Sequence, residues 1–499
     1  MPLTPHPDVA VVVLAAGAGT RMKSATPKML HTVAGRSMLG HAVHAACGIR
    51  PDHVVVVTGH GKDLVDAALD ELKPRMDKDY GVGSIDTVVQ KQQNGTGDAV
   101  ACALQSAALA DFTGTIVVTT SDVPLLGAEV LAALLAEHSA KPRAGVTVLT
   151  TMVDDPHGYG RIVRTADGEV TRIVEEKDAD EETRTIREIN SGVYAFDAAL
   201  LADAVGQLDT NNAQGEFYLT DVIGIARASD RIVRAHRLAD PALVAGVNDR
   251  VQLAEANRQF NRRLREMHMK NGVTMTDPDS VFIDCDVEIA NDVLLEPNCQ
   301  LKGSTSIATG CVIGPDTMLE NMTVGEGASV VRTHGFDSVI GAHADVGPFT
   351  YIRPGTQLGD NGKLGGFVET KKAVIGRGSK VPHLTYVGDA TIGEESNIGA
   401  SSVFVNYDGV NKHHTTIGSH VRTGSDTMFI APVTVGDGVY SGAGTVIKDD
   451  VPAGALTVSS AKQRIIEGWV ENKRPGTPAA DAAARARTGS ATPGTDSDK

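Results

Sequence analysis

An aliphatic residue recurs at every sixth position through much of the second half of the chain, and this spacing constrains the fold more than any other feature. One unbroken run consists of Ile283, Ile289, Leu295, Leu301, Ile307, Ile313 and Leu319. An α-helix repeats near every 3.6 residues and a simple strand every two, so neither explains a period of six. A parallel β-helix does, because each short strand points one aliphatic side chain inward before the chain turns a corner.

The six-residue spacing is interrupted and then resumes several times before Ile447. These interruptions predict loops pushed out of the coils at 331–339, 365–374 and 406–416. Protruding loops of a regular solenoid are places where binding chemistry can be located. The span from Ile283 to Ile447 corresponds to about nine coils.

The composition agrees with a narrow interior and excludes several classes of function. The 499 residues include 53 glycines and only 4% aromatic residues, as expected for tight corners around a thin aliphatic core. The formal net charge of −16 disfavours binding to nucleic acid or to an anionic membrane surface. Five scattered cysteines without a CxxC pair suggest neither a disulfide framework nor a zinc site. We therefore expect a soluble, cytoplasmic protein, since the apolar run at 9–16 is too short to span a bilayer.

The first half of the chain alternates predicted strands and helices. Strands are predicted at 9–14, 54–57, 116–119 and 146–149, and helices at 64–72, 98–109 and 128–138. This alternation predicts a mostly parallel sheet covered on both faces, with ligands beyond the carboxyl ends of the strands.

The predicted domain boundaries follow from these changes in pattern. Residues 1–250 form the α/β domain, 251–271 a helical linker, 272–474 the β-helix domain and 475–499 a disordered tail rich in Ala, Thr, Gly and Pro.

A glycine loop follows the first predicted strand. Gly17 and Gly19 allow backbone N–H groups to approach phosphates, and Arg21 and Lys28 can neutralise them. The third glycine of a dinucleotide fingerprint is replaced by Met22, and the Gly-Lys-Ser/Thr of a P-loop is missing. A bare pair of glycines is also compatible with an ordinary strand-to-helix turn.

With further motifs, the loop resembles that of the sugar-phosphate nucleotidyltransferases. Within that group the chain is most similar to the bifunctional N-acetylglucosamine-1-phosphate uridyltransferases and glucosamine-1-phosphate acetyltransferases. The motifs are Leu14 to Met22, Gln90 with Gly95-Thr96-Gly97, Ser121 to Pro124, Gly158 to Arg161, Val174 to Asp178, Glu188 to Gly192 and Asn211 to Asp221. The resemblance covers about residues 9 to 471. It implies a Rossmann-like nucleotidyltransferase domain followed by a left-handed parallel β-helix of hexapeptide repeats.

For the first half, the resemblance implies a uridyltransferase site. Arg21 and Lys28 would be catalytic, and Asp122 and Asn248 would bind Mg²⁺. The nucleotide would be wrapped by Leu14, Ala15, Ala16 and Gly17, its uracil read by Gln90, Gly95 and Thr96, and the sugar held by Gly160, Glu175 and Asn190. Asp122 on its own could equally cap the helix that follows Pro124. Asp249 follows Asn248 where the familiar pattern has Asn.

For the second half, polar residues gather where the repeat is interrupted. A histidine such as His383 suits a general base for acetyl transfer to an amine, since imidazole changes protonation near neutral pH. No Cys or Ser motif for an acyl-enzyme lies nearby, which favours direct attack on the thioester. Considered alone, His383 could also be an ordinary surface residue of a coil, as we expect for His413, His414 and His420.

The resemblance implies a complete acetyltransferase site and an assembly. His383 would be the base, oriented by Glu369. The sugar phosphate would be held by Arg353, Lys371, Tyr386 and Asn397, and acetyl-CoA by Ala400, Asn406, Tyr407, Ser425, Ala443 and Ser460, the last standing where many relatives carry Arg. Such β-helix proteins are homotrimers with the acetyl site between subunits.

The resemblance thus predicts two consecutive steps to UDP-N-acetylglucosamine, with acetyl-CoA and UTP as co-substrates and Mg²⁺ as cofactor. One alternative is a nucleotidyltransferase with a purely regulatory β-helix, as in proteins similar to ADP-glucose pyrophosphorylase. The length of the repeat and the presence of His383, Lys371 and Tyr386 argue against it. Another is a non-catalytic assembly subunit, which retention of Lys28, Asp122 and Lys371 disfavours.

Overall fold

The computed structural model describes residues 6–82, 84–459 and 463–489, and its first half is built around one parallel-rich sheet. The strands are β1 Val9–Ala15, β2 Thr32–Val33, β3 Arg36–Ser37, β4 His53–Thr58, β5 Ile85–Val89, β6 Thr115–Thr120, β7 Val146–Met152, β8 Arg161–Arg164, β9 Val170–Val174, β10 Glu188–Asp197 and β11 Val233–Leu238. The main sheet has the order β11-β7-β10-β6-β1-β4-β5, and β8 pairs with β10 and β9. Because β1 lies between β4 and β6 with both pairings parallel, their carboxyl ends meet at one edge.

Helices pack on both faces of this sheet, as the alternating pattern predicts. They are α1 Met38–Gly48, α2 Lys62–Tyr80, α3 Thr96–Leu104, α4 Ala128–Ser139, α5 Glu181–Arg184, α6 Ala198–Val205 and α7 Val222–Ala228. Alternate residues of β1 belong to different clusters: Val11 and Val13 pack on the side of α1 and α4, and Ala10 and Val12 on the side of α3 and α6. A strand buried on both faces explains the unbroken run of apolar residues in β1.

A single helix occupies the segment predicted as a linker. Helix α8 spans Arg250–Lys270, and the Asp249 carboxylate caps it by accepting a hydrogen bond from the Gln252 N–H (2.8 Å). No helix within the described ranges is both long and apolar enough to cross a membrane.

The second half is a parallel β-helix, which confirms the six-residue analysis. From β12 to β25, each short strand pairs in parallel with the strand three further along the chain, so three strands complete one coil. Ile283, Leu301 and Leu319 are in register on three successive coils, and all are buried in the narrow core. This arrangement is consistent with the left-handed coil that the resemblance implies.

The β-helix strands are two to seven residues long. They are β12 Thr274–Met275, β13 Phe282–Ile283, β14 Glu288–Ile289, β15 Leu294–Leu295, β16 Gln300–Lys302, β17 Ser306–Ile307, β18 Val312–Ile313, β19 Met318–Glu320, β20 Thr323–Val324, β21 Ser329–Val330, β22 Thr333–Phe336, β23 Val339–Ile340, β24 Asp345–Val346, β25 Thr350–Ile352, β26 Gln357–Leu358, β27 Lys363–Gly366, β28 Glu369–Ile375, β29 Lys380–His383, β30 Tyr386–Ile392, β31 Val403–Val405, β32 Thr415–Ile417, β33 Met428–Ile430, β34 Val433–Val435, β35 Tyr440–Ser441, β36 Val446–Ile447 and β37 Leu456–Thr457.

Two of the three predicted loops are wrong. Residues 331–339 contain β22, and residues 365–374 lie largely within β27 and β28, so the coil continues through both. The inward position in β22 is Gly335, between Leu319 and Ile352, and in β28 it is Thr370. The coil continues although a non-aliphatic residue occupies its inward position. The six-residue spacing of aliphatic residues therefore does not reveal these strands. Within 406–416, residues 407–414 do leave the coil as a largely exposed loop closed by a bridge between Tyr407 and Lys412, and the coil resumes in β32.

The C-terminal segment departs from the prediction of disorder over 475–499. Helices α9 Trp469–Lys473 and α10 Pro478–Gly489 pack against each other, and the Arg474 guanidinium lies 5.3 Å from the centre of the Trp469 ring. The alanines of α10 have high helix propensity, which the composition argument overlooked. The remainder of the predicted tail, 490–499, lies outside the described residues.

Candidate active sites

A cavity of about 300 Å³ opens at the carboxyl ends of β1, β5 and β6. The sequence-predicted residues that line it are Leu14, Ala16, Gly17, Lys28, Gln90, Gly95, Thr96 and Asp122. Parallel strand pairing brings these distant residues together: the Ser121 N–H donates to the Leu14 carbonyl (3.0 Å), next to Asp122. The cavity therefore lies where a doubly wound sheet places its ligands.

The glycine loop after β1 passes directly over Lys28. Gly19 has φ +58°, and a Cβ placed on it would lie 2.4 Å from the Lys28 Cβ, so only glycine fits this crossing. Arg21 is exposed in the short helix Thr20–Met22 and forms no ion pair with any described residue. Of the predicted loop residues, Ala15 is buried in the strand and lies apart from the cavity lining.

Lys28, Asp122 and Asn248 converge at one end of the cavity. The Lys28 ammonium donates to Asp122 Oδ2 at 2.5 Å and to Asn248 Oδ1 at 3.1 Å. Asp249 faces away into its capping hydrogen bond with α8, so Asn248 is the oxygen donor on this side. Two hard oxygen atoms that already converge on one positive charge fit a Mg²⁺ ion, which binds few carboxylates and takes its other ligands from phosphate and water. No group of three or more His, Cys, Asp or Glu suited to a metal occurs among the residues described.

The Gln90 amide is fixed in orientation. Its Nε2 donates to the Gly95 carbonyl (3.0 Å) and to Asp98 Oδ2 (2.7 Å), and both partners are acceptors. This geometry assigns the NH₂ group to the protein side, so Oε1 is the atom left to accept a hydrogen bond. No donor to Oε1 occurs among the residues that the structure describes.

The predicted sugar-side residues are also brought together. The Asn190 N–H donates to the Gly160 carbonyl (2.9 Å), and a Cβ on Gly160 would lie 3.3 Å from Glu175 Oε1. Burial raises the pKa of the Glu175 carboxyl. A Cβ on Gly192, two residues after Asn190, would lie 3.6 Å from Thr120, which lines the nucleotide cavity. These three residues therefore adjoin the cavity without lining it.

Sequence reasoning missed several lining residues of this cavity. Gln93 donates from Nε2 to the Ala16 carbonyl (2.7 Å) and holds the glycine loop against the loop that carries Gln90. The others are Met29, Ala99, Thr120, Ser121 and Glu216. Ser121 directly precedes Asp122 in the motif Ser121 to Pro124, so the sequence did indicate that it lies near the site.

A second cluster of charges lies on successive coils of the β-helix. The Arg353 guanidinium donates to Glu369 Oε1 (2.9 Å), and the Lys371 ammonium donates to Asp389 Oδ2 (3.3 Å). Asn406 donates to the same Asp389 oxygen (2.5 Å). The predicted Tyr386 is included through a longer hydrogen bond from Asn406 to its hydroxyl (3.4 Å).

Two members of this cluster were missed. Asp389 joins Lys371 to Asn406, and Lys412 lies against Lys371, whose proximity lowers the pKa of Lys412. Lys412 comes from the loop 406–416, which folds back towards the coil. Nothing in the spacing of either residue indicated its partner. Three cations, Arg353, Lys371 and Lys412, therefore belong to one surface.

His383 ends β29 and is exposed next to this surface. The prediction that Glu369 orients His383 is not confirmed, since Glu369 pairs with Arg353 and no hydrogen bond joins it to His383 among the described residues. Leu384 follows with φ +48°, so the chain turns sharply after the histidine and leaves its ring exposed.

Three of the six residues predicted for acetyl-CoA, Ala400, Ser425 and Ala443, follow one corner of the coils. The Ser401 N–H donates to the His383 carbonyl (3.3 Å), and the Asp426 N–H donates to the Ala400 carbonyl (2.8 Å). Gly444, next to Ala443, donates to the Ser425 carbonyl (2.8 Å). The remaining predictions are Asn397, which bridges the strands of Lys380 and Arg422, the exposed Tyr407, and Ser460, which lies outside the described residues.

Comparison with known proteins finds relatives over nearly the whole chain. A family model described as a MobA-like NTP transferase domain matches residues 11–187. The chain is 64% identical to the bifunctional protein GlmU of Corynebacterium diphtheriae over 97% of this chain and 98% of that protein. It is 65% identical to the GlmU of Corynebacterium efficiens over 96% and 97% of the two chains. The GlmU of a Mycobacterium species, strain KMS, is 60% identical over 97% of this chain and 95% of its own length.

Proposed function

Because this chain belongs to the family of bifunctional GlmU proteins, we propose that it catalyses two consecutive transfers. The first moves acetyl from acetyl-CoA to glucosamine-1-phosphate, and the second moves uridylyl from UTP to N-acetylglucosamine-1-phosphate. It would thus act as a glucosamine-1-phosphate N-acetyltransferase and a UDP-N-acetylglucosamine diphosphorylase, making a precursor of cell-wall peptidoglycan and lipopolysaccharide. Residues 1–250 would perform uridylyl transfer and 272–474 acetyl transfer, joined by 251–271.

The convergence of Lys28, Asp122 and Asn248 on one point carries the proposal for uridylyl transfer. A phosphate oxygen of the sugar-1-phosphate forms a bond to the α-phosphorus of UTP, and the bond to the bridging oxygen breaks to release pyrophosphate. Both reactants are anionic, so Lys28 and Arg21 would offset their repulsion and hold the phosphates in line. Mg²⁺, held by Asp122 and Asn248, would supply further neutralisation of phosphate charge.

The fixed orientation of Gln90 supports a preference for uracil. The ring N3 of uracil carries a hydrogen and donates, whereas the N3 of cytosine accepts. With its Nε2 bonded to Gly95 and Asp98, Gln90 offers an acceptor to the base. Pairing an acceptor with the N3 lone pair of cytosine would leave a buried polar group unsatisfied, which is costly. Gly95 and Thr96 would complete the recognition of the base, and Glu175, Asn190 and Gly160 would hold the sugar.

For acetyl transfer, we propose that His383 is the base. It would take a proton from the glucosamine amine as the nitrogen attacks the thioester carbonyl, and the C–S bond would break to release CoA thiolate, which then takes up a proton. The cationic surface of Arg353, Lys371 and Lys412 supports binding of the sugar phosphate beside this base.

A homotrimer is supported by an exposed apolar ladder beside His383. Phe349, Phe367 and Leu384 are 52%, 62% and 58% exposed, and the two rings stack at 5.2 Å. Exposed apolar residues that adjoin one another are typical of protein interfaces. The five free cysteines agree with a reducing compartment, so we propose that the protein acts in the cytoplasm.

A coupled assay of the full chain tests the proposal. Incubation with glucosamine-1-phosphate, acetyl-CoA, UTP and Mg²⁺ is expected to yield free CoA, pyrophosphate and UDP-N-acetylglucosamine. A parallel incubation with N-acetylglucosamine-1-phosphate, UTP and Mg²⁺ reports uridylyl transfer alone. Release of pyrophosphate there without release of CoA from the first mixture would favour the enzyme with a regulatory β-helix, and release of neither would favour the assembly subunit.

A further inference from the structure

The turn that begins at Lys28 leads directly into a β-hairpin whose tip contacts the linker helix and the β-helix. In Lys28–Leu30 the His31 N–H donates to the Lys28 carbonyl (3.2 Å), and the Met38 N–H donates back to the His31 carbonyl (3.0 Å). The hairpin of β2 and β3 lies between these two hydrogen bonds. Since no free segment separates Lys28 from the hairpin, a displacement of the hairpin displaces Lys28.

The hairpin tip is hydrogen-bonded to the linker helix and to the β-helix. The Ala34 N–H donates to Asn257 Oδ1 of α8 (2.9 Å), and the Ala34 carbonyl accepts from the Cys285 N–H of the first coil (2.9 Å). Asn257 Nδ2 also donates to the Thr32 carbonyl (3.2 Å). Both backbone groups of the tip residue are therefore satisfied outside the α/β domain.

The tip is packed on the coil without a gap. Gly35 has φ +80°, and a Cβ placed on it would lie 2.4 Å from the carboxyl carbon of Asp284. Asp284 is itself held by a hydrogen bond from the Gly303 N–H of the next coil (3.0 Å). The first coil thus forms a rigid surface against which the hairpin packs.

Asp286 joins the same coil to two guanidinium groups of the α/β domain. It accepts from Arg36 of the hairpin (2.5 Å) and from Arg75 of α2 (2.6 and 2.8 Å). Burial alone would raise the pKa of Asp286, but the hydrogen bonds from Arg75 and the charge of Arg36 outweigh burial and lower it. Asp286 therefore remains ionised at neutral pH.

The linker helix ties the other side of the Lys28 site to this coil. Asn248 lies just before α8, and further along the helix Asn261 donates from Nδ2 to the Ile283 carbonyl (2.9 Å). Lys28 and Asn248 are hydrogen-bonded to each other at 3.1 Å. Lys28 is attached to the hairpin and Asn248 to α8, and both of these elements are hydrogen-bonded to residues 283–286 of the first coil.

We infer that residues 284–286 of the first β-helix coil position the uridylyl-transfer site, with Asp286 holding the hairpin so that Lys28 stays against Asp122 and Asn248. This inference rests on the uridylyl transfer proposed above. Asp286 is a positioning residue, since it touches neither Lys28 nor the cavity lining and acts through Arg36 and the hairpin.

The test compares Asp286→Asn with unaltered full-length protein in both half-reactions. The kcat/KM of uridylyl transfer is expected to fall by roughly 10–100-fold, as for other supporting contacts around a reactive centre. Acetyl transfer on the same sample is expected to stay within about twofold and reports that the β-helix is folded. Asp345→Asn, which removes an exposed carboxylate paired with Lys363 on the β-helix, is the matched control and should leave both rates unchanged.

A double-mutant cycle distinguishes positioning from general support of the fold. If Asp286 acts through Lys28, Asp286→Asn should cause no further loss of uridylyl transfer in a Lys28→Ala background. Additive losses would overturn the inference, and so would normal uridylyl transfer in Asp286→Asn itself. Normal uridylyl transfer in Lys28→Ala alone would instead overturn the proposed site.

Arg36→Gln provides a milder variant should Asp286→Asn reduce both activities. It removes the guanidinium of the hairpin and leaves the pair of Arg75 with Asp286 in place. A selective fall in uridylyl transfer that disappears in the Lys28→Ala background supports the inference, and an unchanged rate overturns it.

Discussion

The two candidate sites assemble their charges in different ways. In the α/β half, Leu14, Gln90 and Asp122 come from strand ends far apart in sequence and meet because parallel strands share one edge. In the β-helix, Glu369 and Tyr386 lie in direct register on successive coils, so the site follows a short, repeating sequence separation.

This difference affects how each site depends on the rest of the fold. Within one chain, the β-helix site depends on its neighbouring coils, since each coil contacts the next. The α/β site needs its whole sheet, the linker helix and, through the hairpin, the first coil. We therefore expect changes near the acetyl site to stay local and changes at the domain junction to reach the uridylyl site. Substitutions in each half test this contrast.

The largest effect is expected for His383→Ala. Loss of a general base lowers a rate by roughly 10²–10⁴-fold, so acetyl transfer should fall by that factor while uridylyl transfer is retained. CoA release and pyrophosphate release, measured separately on the same preparation, check this. His414→Ala, which removes an exposed histidine bonded to Thr391, is the control and should keep both activities. An undiminished acetylation rate in His383→Ala would rule out the base assignment.

Asp122→Asn should have the opposite effect on the two activities. Removal of this charge should lower uridylyl transfer by roughly 10²–10³-fold, as for loss of a preorganised electrostatic contact, and leave acetyl transfer intact. Titration of Mg²⁺ in the uridylyl assay should show a weaker apparent affinity. Asp98→Asn changes a carboxylate beside the cavity that bonds Gln90 rather than Lys28, and it should retain the Mg²⁺ dependence. Unchanged UDP-sugar synthesis in Asp122→Asn would refute the metal assignment.

A cavity in the solenoid tests how local the β-helix is. Leu301 is fully buried between Ile283 and Leu319, and Leu301→Ala should lower the free energy of unfolding by about 2–5 kcal/mol. Hydrogen exchange should show lost protection in the coils next to it and normal protection in β1 and β6. The volume-conserving Leu301→Ile should cost less than about 1.5 kcal/mol. Equal loss of protection throughout the main sheet would contradict local behaviour.

The smallest effect concerns Glu175, whose buried carboxyl has a raised pKa. A raised pKa in the folded protein means that the ionised form is disfavoured there, so stability falls as pH rises through the folded value. Glu175→Gln should therefore raise the melting temperature by a few degrees at pH 7, and the gain should shrink towards pH 4. Sugar-phosphate binding should weaken in the same variant. A gain in melting temperature that is independent of pH would exclude this origin.

The sequence predicted the parts of the molecule whose residues repeat or cluster in a motif. The six-residue period predicted the coils, because inward aliphatic residues such as Leu301 must recur once per strand. The position of the cavity was predicted from the ends of the parallel strands and from the motifs around Lys28 and Asp122. The helix over 478–489 was missed because composition was weighed above helix propensity.

The remaining features depend on contacts between distant segments, which the spacing of residues in the sequence does not indicate. Asp389 and Lys412 reach the acetyl site through a tight turn and a returning loop, and Asp286 meets Arg36 across a domain junction. Gly335 and Thr370 occupy inward positions without being aliphatic, so the pattern indicated loops where strands continue. Each of these features arises from tertiary packing between distant segments.

Complementation between the two single-site variants tests the separateness of the two sites most directly. His383→Ala and Asp122→Asn would each be incubated alone, and then together, with glucosamine-1-phosphate, acetyl-CoA, UTP and Mg²⁺. We predict little UDP-N-acetylglucosamine from either variant alone and its formation by the mixture, because the Asp122→Asn chain supplies the acetylated sugar phosphate that the other chain consumes. A mixture as inactive as its components would contradict the account.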